Sequence, residues 1–223
     1  GIPPGVFNLV MGPGSQVGQT LLNHADIDAI SFTGSVDTGR RVLAATAPRF
    51  AKVQLEMGGK NPLVVLDDAD LARAVECAVQ GSYFSTGQRC TASSRLIVQR
   101  GILPRFTEAV IDRLKSLKVD DARQPGTDIG PVVDASQLAQ DLSYIEIGQA
   151  EGARLAFGGR VLERATQGFY LEPALFVDAE PGMRIAREEI FGPVACIVPA
   201  DSFEHALALA NDTAFGLSAG ICT

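Results

Sequence analysis

Apolar runs and amphipathic stretches alternate along the chain. Apolar strand candidates fall at residues 5–10, 27–32, 52–55, 61–66, 94–99, 154–157, 170–177 and 194–198. Between them, residues 36–47, 70–84, 104–117, 134–151 and 201–212 carry apolar side chains at helical spacing. Leu71, Val75, Ala78 and Val79 share one helix face, and Phe106, Val110, Leu114 and Leu117 share another. Leu138, Leu142 and Ile145 mark a further helix, which reads as an ordinary surface helix. Strands alternating with helices predict α/β architecture with mostly parallel sheets. Helix starts are legible too. Asp67, Asp68 and Asp70 supply acidic capping before one helix, and Asp201 with Glu204 has capping-box spacing before the last.

Two glycine turns need separate weighing. Gly12, Gly14 and Gly18 fall as G-x-G-x-x-x-G, one residue longer than the dinucleotide fingerprint, so a plain strand-to-helix turn is the better reading. Thr33-Gly34-Ser35 lies between a buried-strand pattern and a helix, where unpaired amides and the helix dipole favour an anion such as a pyrophosphate. The span from Gly34 to Gly39 also fits G-x-x-x-x-G, but Arg40-Arg41 stands where a P-loop needs Lys-Ser/Thr. An NTPase is rejected on that ground.

Composition narrows the partners. The 223 residues are 46% hydrophobic and 20% charged, which are globular values, and the net charge is −7 with no basic run and no Trp. Nothing electrostatic favours nucleic acid or an anionic membrane, so small solutes are the expected partners. Cys77, Cys90, Cys196 and Cys222 form no C-x-x-C pair, and only His24 and His205 could join them, so no metal site is expected. Cys77 and Cys196 read as core residues. With no signal peptide or long apolar span, a reducing cytoplasm is the expected setting.

Cys90 differs from the other cysteines in its surroundings. It lies in a small, polar, glycine-containing loop where a helix gives way to a strand, as a nucleophile would. Upstream, Glu56 ends an apolar run and is followed closely by Gly58 and Gly59, which let backbone pass nearby. A thiol and a carboxylate framed this way suit a covalent mechanism in which the thiolate attacks and the carboxylate later activates water. Three other readings stay open: a coenzyme-A-acylating enzyme, a cofactor-free cysteine hydrolase, and a folded fragment without turnover. A conventional hydrolase would need a His base, and neither His24 nor His205 is placed for it.

Three motifs, Leu55-Glu56-Met57-Gly58-Gly59-Lys60-Asn61-Pro62, Gly87-Gln88-Arg89-Cys90 and Glu188-Glu189-Ile190-Phe191-Gly192-Pro193, resemble in order and spacing the signature set of the NAD(P)-dependent aldehyde dehydrogenase superfamily. The texture around Cys90 is most similar to the α-ketoglutaric semialdehyde dehydrogenase branch. The resemblance implies an aldehyde-dehydrogenase-like α/β fold in two parts. Residues 1–57 would be the end of a Rossmann-type cofactor domain, and residues 58–223 most of a catalytic domain. It implies oxidation of an aldehyde, such as a carboxylated semialdehyde, to the acid with NAD or NADP. It further implies Cys90 as nucleophile, Glu56 as base, and Gly34, Ser35, Glu189 and Phe191 as cofactor contacts. Arg89, directly before the nucleophile, is the candidate to grip a substrate carboxylate. On the same resemblance the chain reads as a fragment. Parts of both domains would lie outside it, including an oxyanion-holding asparagine, and the full-length protein would be a homo-oligomer.

Overall fold

A computed structural model describes residues 1–223, which divide into two compact units, Gly1–Gly58 and Gly59–Thr223. In the first unit a short helix α1 (Gln19–Asn23) precedes strand β1 (Ala29–Gly34), helix α2 (Val36–Thr46) and strand β2 (Lys52–Met57). The strands pair in parallel, with Thr33 opposite Glu56 and Gly34 opposite Met57. Gly39 lets α2 close on β2, because a Cβ there would lie 2.5 Å from the Met57 sulfur. The strand expected over residues 5–10 does not form. Val6, Phe7, Leu9 and Val10 are exposed, and no strand lies beside them to pair their backbone. The glycine turn that follows is therefore not a strand-to-helix turn, and residues Gly14–Gly18 coil directly into α1.

The second unit begins with β3 (Pro62–Val65), α3 (Leu71–Tyr83), β4 (Arg95–Gln99), α4 (Leu103–Lys115) and α5 (Ala135–Ala150). It continues through β5 (Arg154–Phe157), the small hairpin β6 (Val161–Leu162) and β7 (Tyr170–Leu171), and β8 (Ala174–Val177). The last elements are α6 (Arg184–Arg187), β9 (Val194–Ala200), α7 (Phe203–Asn211) and β10 (Gly220–Cys222). Six strands form one sheet in the order β10-β3-β4-β9-β8-β5, parallel except for β5 at the edge. The single strand expected over 170–177 is broken at Glu172-Pro173, since proline has no N–H for the ladder.

Alternation along the strands buries both faces of this sheet. Leu63, Val65, Leu96 and Val98 pack against α3 and α4, while Val64, Ile97, Cys196 and Val198 pack under α5, α6 and α7. Burying a Leu, Ile or Val side chain contributes roughly 1.5–3 kcal/mol, so this double-sided core holds the sheet and fixes the loops at its ends. Asp70 caps α3 by accepting from the Arg73 amide, and Asp134 caps α5 by accepting from the Gln137 amide. At α7 the expected capping box is replaced. Ser202 accepts from the His205 amide, and the Asp201 carboxylate is drawn away to Arg100. Cys196 is buried as expected, but Cys77 is exposed, because it falls off the α3 stripe formed by Ala74, Val75, Ala78 and Val79. No helix is long and apolar enough to cross a membrane.

Candidate active site

In the second unit, the loop after α3 is shaped by left-handed backbone. Ser85, Thr86 and Gly87 have φ of 55°, 58° and 66°. For the two non-glycine residues this costs about 1–2 kcal/mol each. Local hydrogen bonds offset it: the Gln88 amide donates to Ser85 O at 3.0 Å, and Thr86 Oγ1 donates to Gly130 O at 3.2 Å. The Gln88 side chain accepts from the Val133 amide at 2.9 Å, tying the loop to the start of α5. The turn delivers Cys90 to the surface, where it is an exposed free thiol.

Cys90 is held from behind through its own carbonyl. Asn61, buried at the head of β3, donates from Nδ2 to Cys90 O at 2.7 Å and to Ala92 O at 3.0 Å, and its Oδ1 accepts from the Ser218 amide. Gly59 is required beside it, since a Cβ would lie 2.9 Å from Cys90 O. Sequence reasoning assigned Asn61 no role. The available signal was a polar side chain at the start of an otherwise apolar strand.

Arg89 is anchored on the helix it follows. Its Nη2 donates to Gln80 O at 2.6 Å and Gly81 O at 3.0 Å, two carbonyls in the last turn of α3, and Gly81 O also accepts from the Ser93 amide. Nη1 has no protein partner.

The stretch 188–193 forms an irregular loop between α6 and β9, and its two acids have different surroundings. Glu188 is bound by Arg184 through two contacts of 2.9 Å and by the Tyr144 hydroxyl at 2.6 Å, with Arg184 holding its carboxyl below the usual range. Glu189 is half-buried. Its Oε1 accepts the Gly59 amide at 3.1 Å and its Oε2 has no protein partner, while burial raises its carboxyl pKa. Phe191 adopts φ 62° and leaves its ring 39% exposed. Lys60, next to Gly59, is fully buried with no hydrogen-bond partner for Nζ, and burial pulls its ammonium down to about 8. The Cys90 loop rests on this second loop, since a Cβ on Gly87 would collide with Gly192 O.

In the first unit, Gly34 and Ser35 form the turn into α2. The Ser35 hydroxyl is committed to capping, accepting from the Thr38 amide at 3.3 Å and bonding Thr38 Oγ1 at 3.0 Å. A Cβ on Gly34 would lie 2.5 Å from the Phe32 ring, so the glycine keeps this turn closed on its own strand. Glu56 sits on the exposed face of β2, with Gln54 Nε2 at 3.5 Å from its carboxylate.

The second unit is a mostly parallel α/β sheet whose loops present an exposed cysteine on left-handed backbone and a half-buried acid with one unbonded oxygen. The chain belongs to the aldehyde dehydrogenase family, whose sequence profile matches residues 1–223. It is 50% identical to an alpha-ketoglutaric semialdehyde dehydrogenase of Bacillus subtilis (strain 168), over all of this chain and 46% of that protein. Betaine aldehyde dehydrogenase of Staphylococcus aureus, solved in complex with NAD+, superposes with a TM-score of 0.97 at 38% identity, covering 100% of this chain and 45% of that one. An aldehyde dehydrogenase from Bacillus cereus gives 0.92 at 38% identity, covering 95% and 43%. The chain thus spans less than half the length of the relatives it matches. The fold is an aldehyde-dehydrogenase-like α/β fold.

Proposed function

We propose that a full-length protein carrying this chain oxidises an aldehyde to a carboxylic acid through a thioester on Cys90. The observation that supports this best is the loop itself: three left-handed residues and a buried Asn61 are devoted to presenting one exposed thiol. The Cys90 sulfur, as thiolate, adds to the aldehyde carbon and gives a thiohemiacetal. The Cys90 amide and groups outside this chain would hold its oxyanion. Loss of hydride from that carbon leaves the thioester, and Glu56 then takes a proton from the water that cleaves it, returning the thiol. Retention of a carboxylate at Glu56 favours water over coenzyme A as acyl acceptor.

NAD or NADP, when bound, supplies the hydride acceptor, and the chain carries groups that fit it. Glu189 Oε2 is an unused acceptor suited to a ribose hydroxyl, and the Phe191 ring offers an exposed flat face. The first turn of α2, opened by Gly34 and Ser35, directs amides outward for a phosphate. Residues 1–57 are accordingly read as the end of the cofactor domain and 58–223 as most of the catalytic domain. For the substrate we favour a semialdehyde with a distal carboxylate, on the similarity to the Bacillus subtilis relative and on the free Nη1 of Arg89. The same reading makes the protein a homo-oligomer of the reducing cytoplasm, where Cys90 stays a free thiol.

The test is kinetic, in the full-length enzyme. Cys90→Ala should abolish reduced-nicotinamide formation, while the corresponding change at Cys77 leaves it intact. Glu56→Gln should keep a single-turnover burst of reduced cofactor and slow steady turnover by roughly a hundredfold or more. Undiminished turnover in Cys90→Ala, or loss of the burst in Glu56→Gln, rejects the assigned roles.

A further inference from the structure

Helix α5 carries an acid where its burial pattern calls for an apolar residue. Leu138, Asp141, Leu142, Ile145 and Gly148 recur at three- and four-residue spacing, and Asp141 is 0% exposed. Its Oδ1 accepts from Gln137 Nε2 at 2.8 Å, and its Oδ2 has no partner. Gly192 lies directly over this carboxyl, and any side chain there would strike both of its oxygens. From the same helix, Gln137 and Gln140 donate to Ile190 O at 3.1 and 2.7 Å. Two side chains of α5 therefore bond Ile190 O and a third lies against Gly192. These two positions flank Phe191 and follow Glu189, and Gly192 forms the ledge under Gly87.

We propose that Asp141 is a positioning residue: buried beneath Gly192, it seats the loop that carries Glu189 and Phe191 and, through Gly87, the loop that carries Cys90. This rests on the reading that Glu189 and Phe191 meet the cofactor. An ionised carboxylate in this place would be a buried charge without a counter-charge, and a buried unpaired ion is strongly disfavoured. The surrounding ionisable groups do not supply one. Lys60, the buried cation coupled to Glu188 and Glu189 of this loop, does not act on Asp141, and Arg184 of α6 is engaged by Glu188. Burial pushes the Asp141 carboxyl up to about 7, with Gln137 alone pulling the other way. Ionisation just above neutrality then loosens the seat.

The experiment compares wild-type full-length enzyme with Asp141→Asn, which keeps the shape and cannot ionise. NADH affinity is measured by nicotinamide fluorescence from about pH 6 to about pH 8.5, a range that brackets the Asp141 titration. Wild type should weaken roughly threefold or more over that range, while Asp141→Asn holds its acid-side affinity throughout. Gln140→Ala should raise the KM for cofactor about threefold and leave the KM for aldehyde unchanged. Equal pH dependence in wild type and Asp141→Asn, or a flat profile in wild type, overturns the proposal while leaving the cofactor reading standing. Failure of the wild-type enzyme to bind NADH at any pH overturns that cofactor reading and this proposal together.

Discussion

Arg89 anchors its loop with one nitrogen and leaves another unbonded. Its Nη2 fastens the Cys90 loop to the last turn of α3, and its Nη1 is free. Arg89→Met should therefore lower kcat/KM for every aldehyde, by loosening the loop, and lower it about tenfold further for α-ketoglutaric semialdehyde than for an uncharged aldehyde of similar length. Equal losses on both substrates would leave Arg89 as a loop anchor alone. That Cys90 lies between a helix and a strand is legible from local pattern, because apolar spacing and small polar residues act over a few positions. The partners that shape its surroundings are not. Asn61, Gly192 and Gln88 act through contacts between segments far apart in sequence, and no local propensity encodes them.

At the scale of elements, helices are most legible where an apolar stripe and a cap coincide, as in α3. Pattern misleads where tertiary context decides: residues 5–10 have no neighbouring strand, and α5 resembles a surface helix because Asp141 interrupts its stripe. Helix α7 illustrates a dependence that the stripe does not show. Arg95, buried at the start of β4, donates to Leu209 O, Ala210 O and Asp212 O, satisfying the carbonyls at the end of α7. Arg95→Met would keep the apolar stem and strand those carbonyls. Urea unfolding of the full-length enzyme should show a loss of about 3 kcal/mol, as expected for removing buried charged hydrogen bonds. A loss below about 1 kcal/mol would mean that water replaces the arginine.

For the whole molecule, two buried ionisable groups shape stability in opposite directions. Asp141 has a folded pKa of about 7, above its unfolded value, so the folded state binds the extra proton and stability falls as pH rises from about 4 to about 7. Lys60 has a folded pKa of about 8, below its unfolded value, so the unfolded state binds the extra proton and stability rises from about pH 8 to about pH 10. A tenfold difference in proton affinity between folded and unfolded chain is worth about 1.4 kcal/mol. The thermal midpoint should thus dip between about pH 7 and about pH 8. Asp141→Asn should remove the slope on the acid side of the dip, and Lys60→Met the slope on its alkaline side. A dip unchanged in both variants would place its origin in other groups.

The two bonds of Asn61 also set an order of assembly. Its side chain holds Cys90 with one end while its oxygen is held by Ser218, 157 residues downstream, and Gly87 finds its ledge only once Gly192 exists. At about 5–20 residues per second, a ribosome takes on the order of ten seconds to make the intervening chain. The Cys90 loop is therefore made early and finished late. In nascent chains that end before Gly192, the peptide bond after Arg89 should be cut readily by trypsin, and in chains that include Ser218 it should be protected. Until that point the Cys90 loop lacks two of the contacts that shape it in the complete chain.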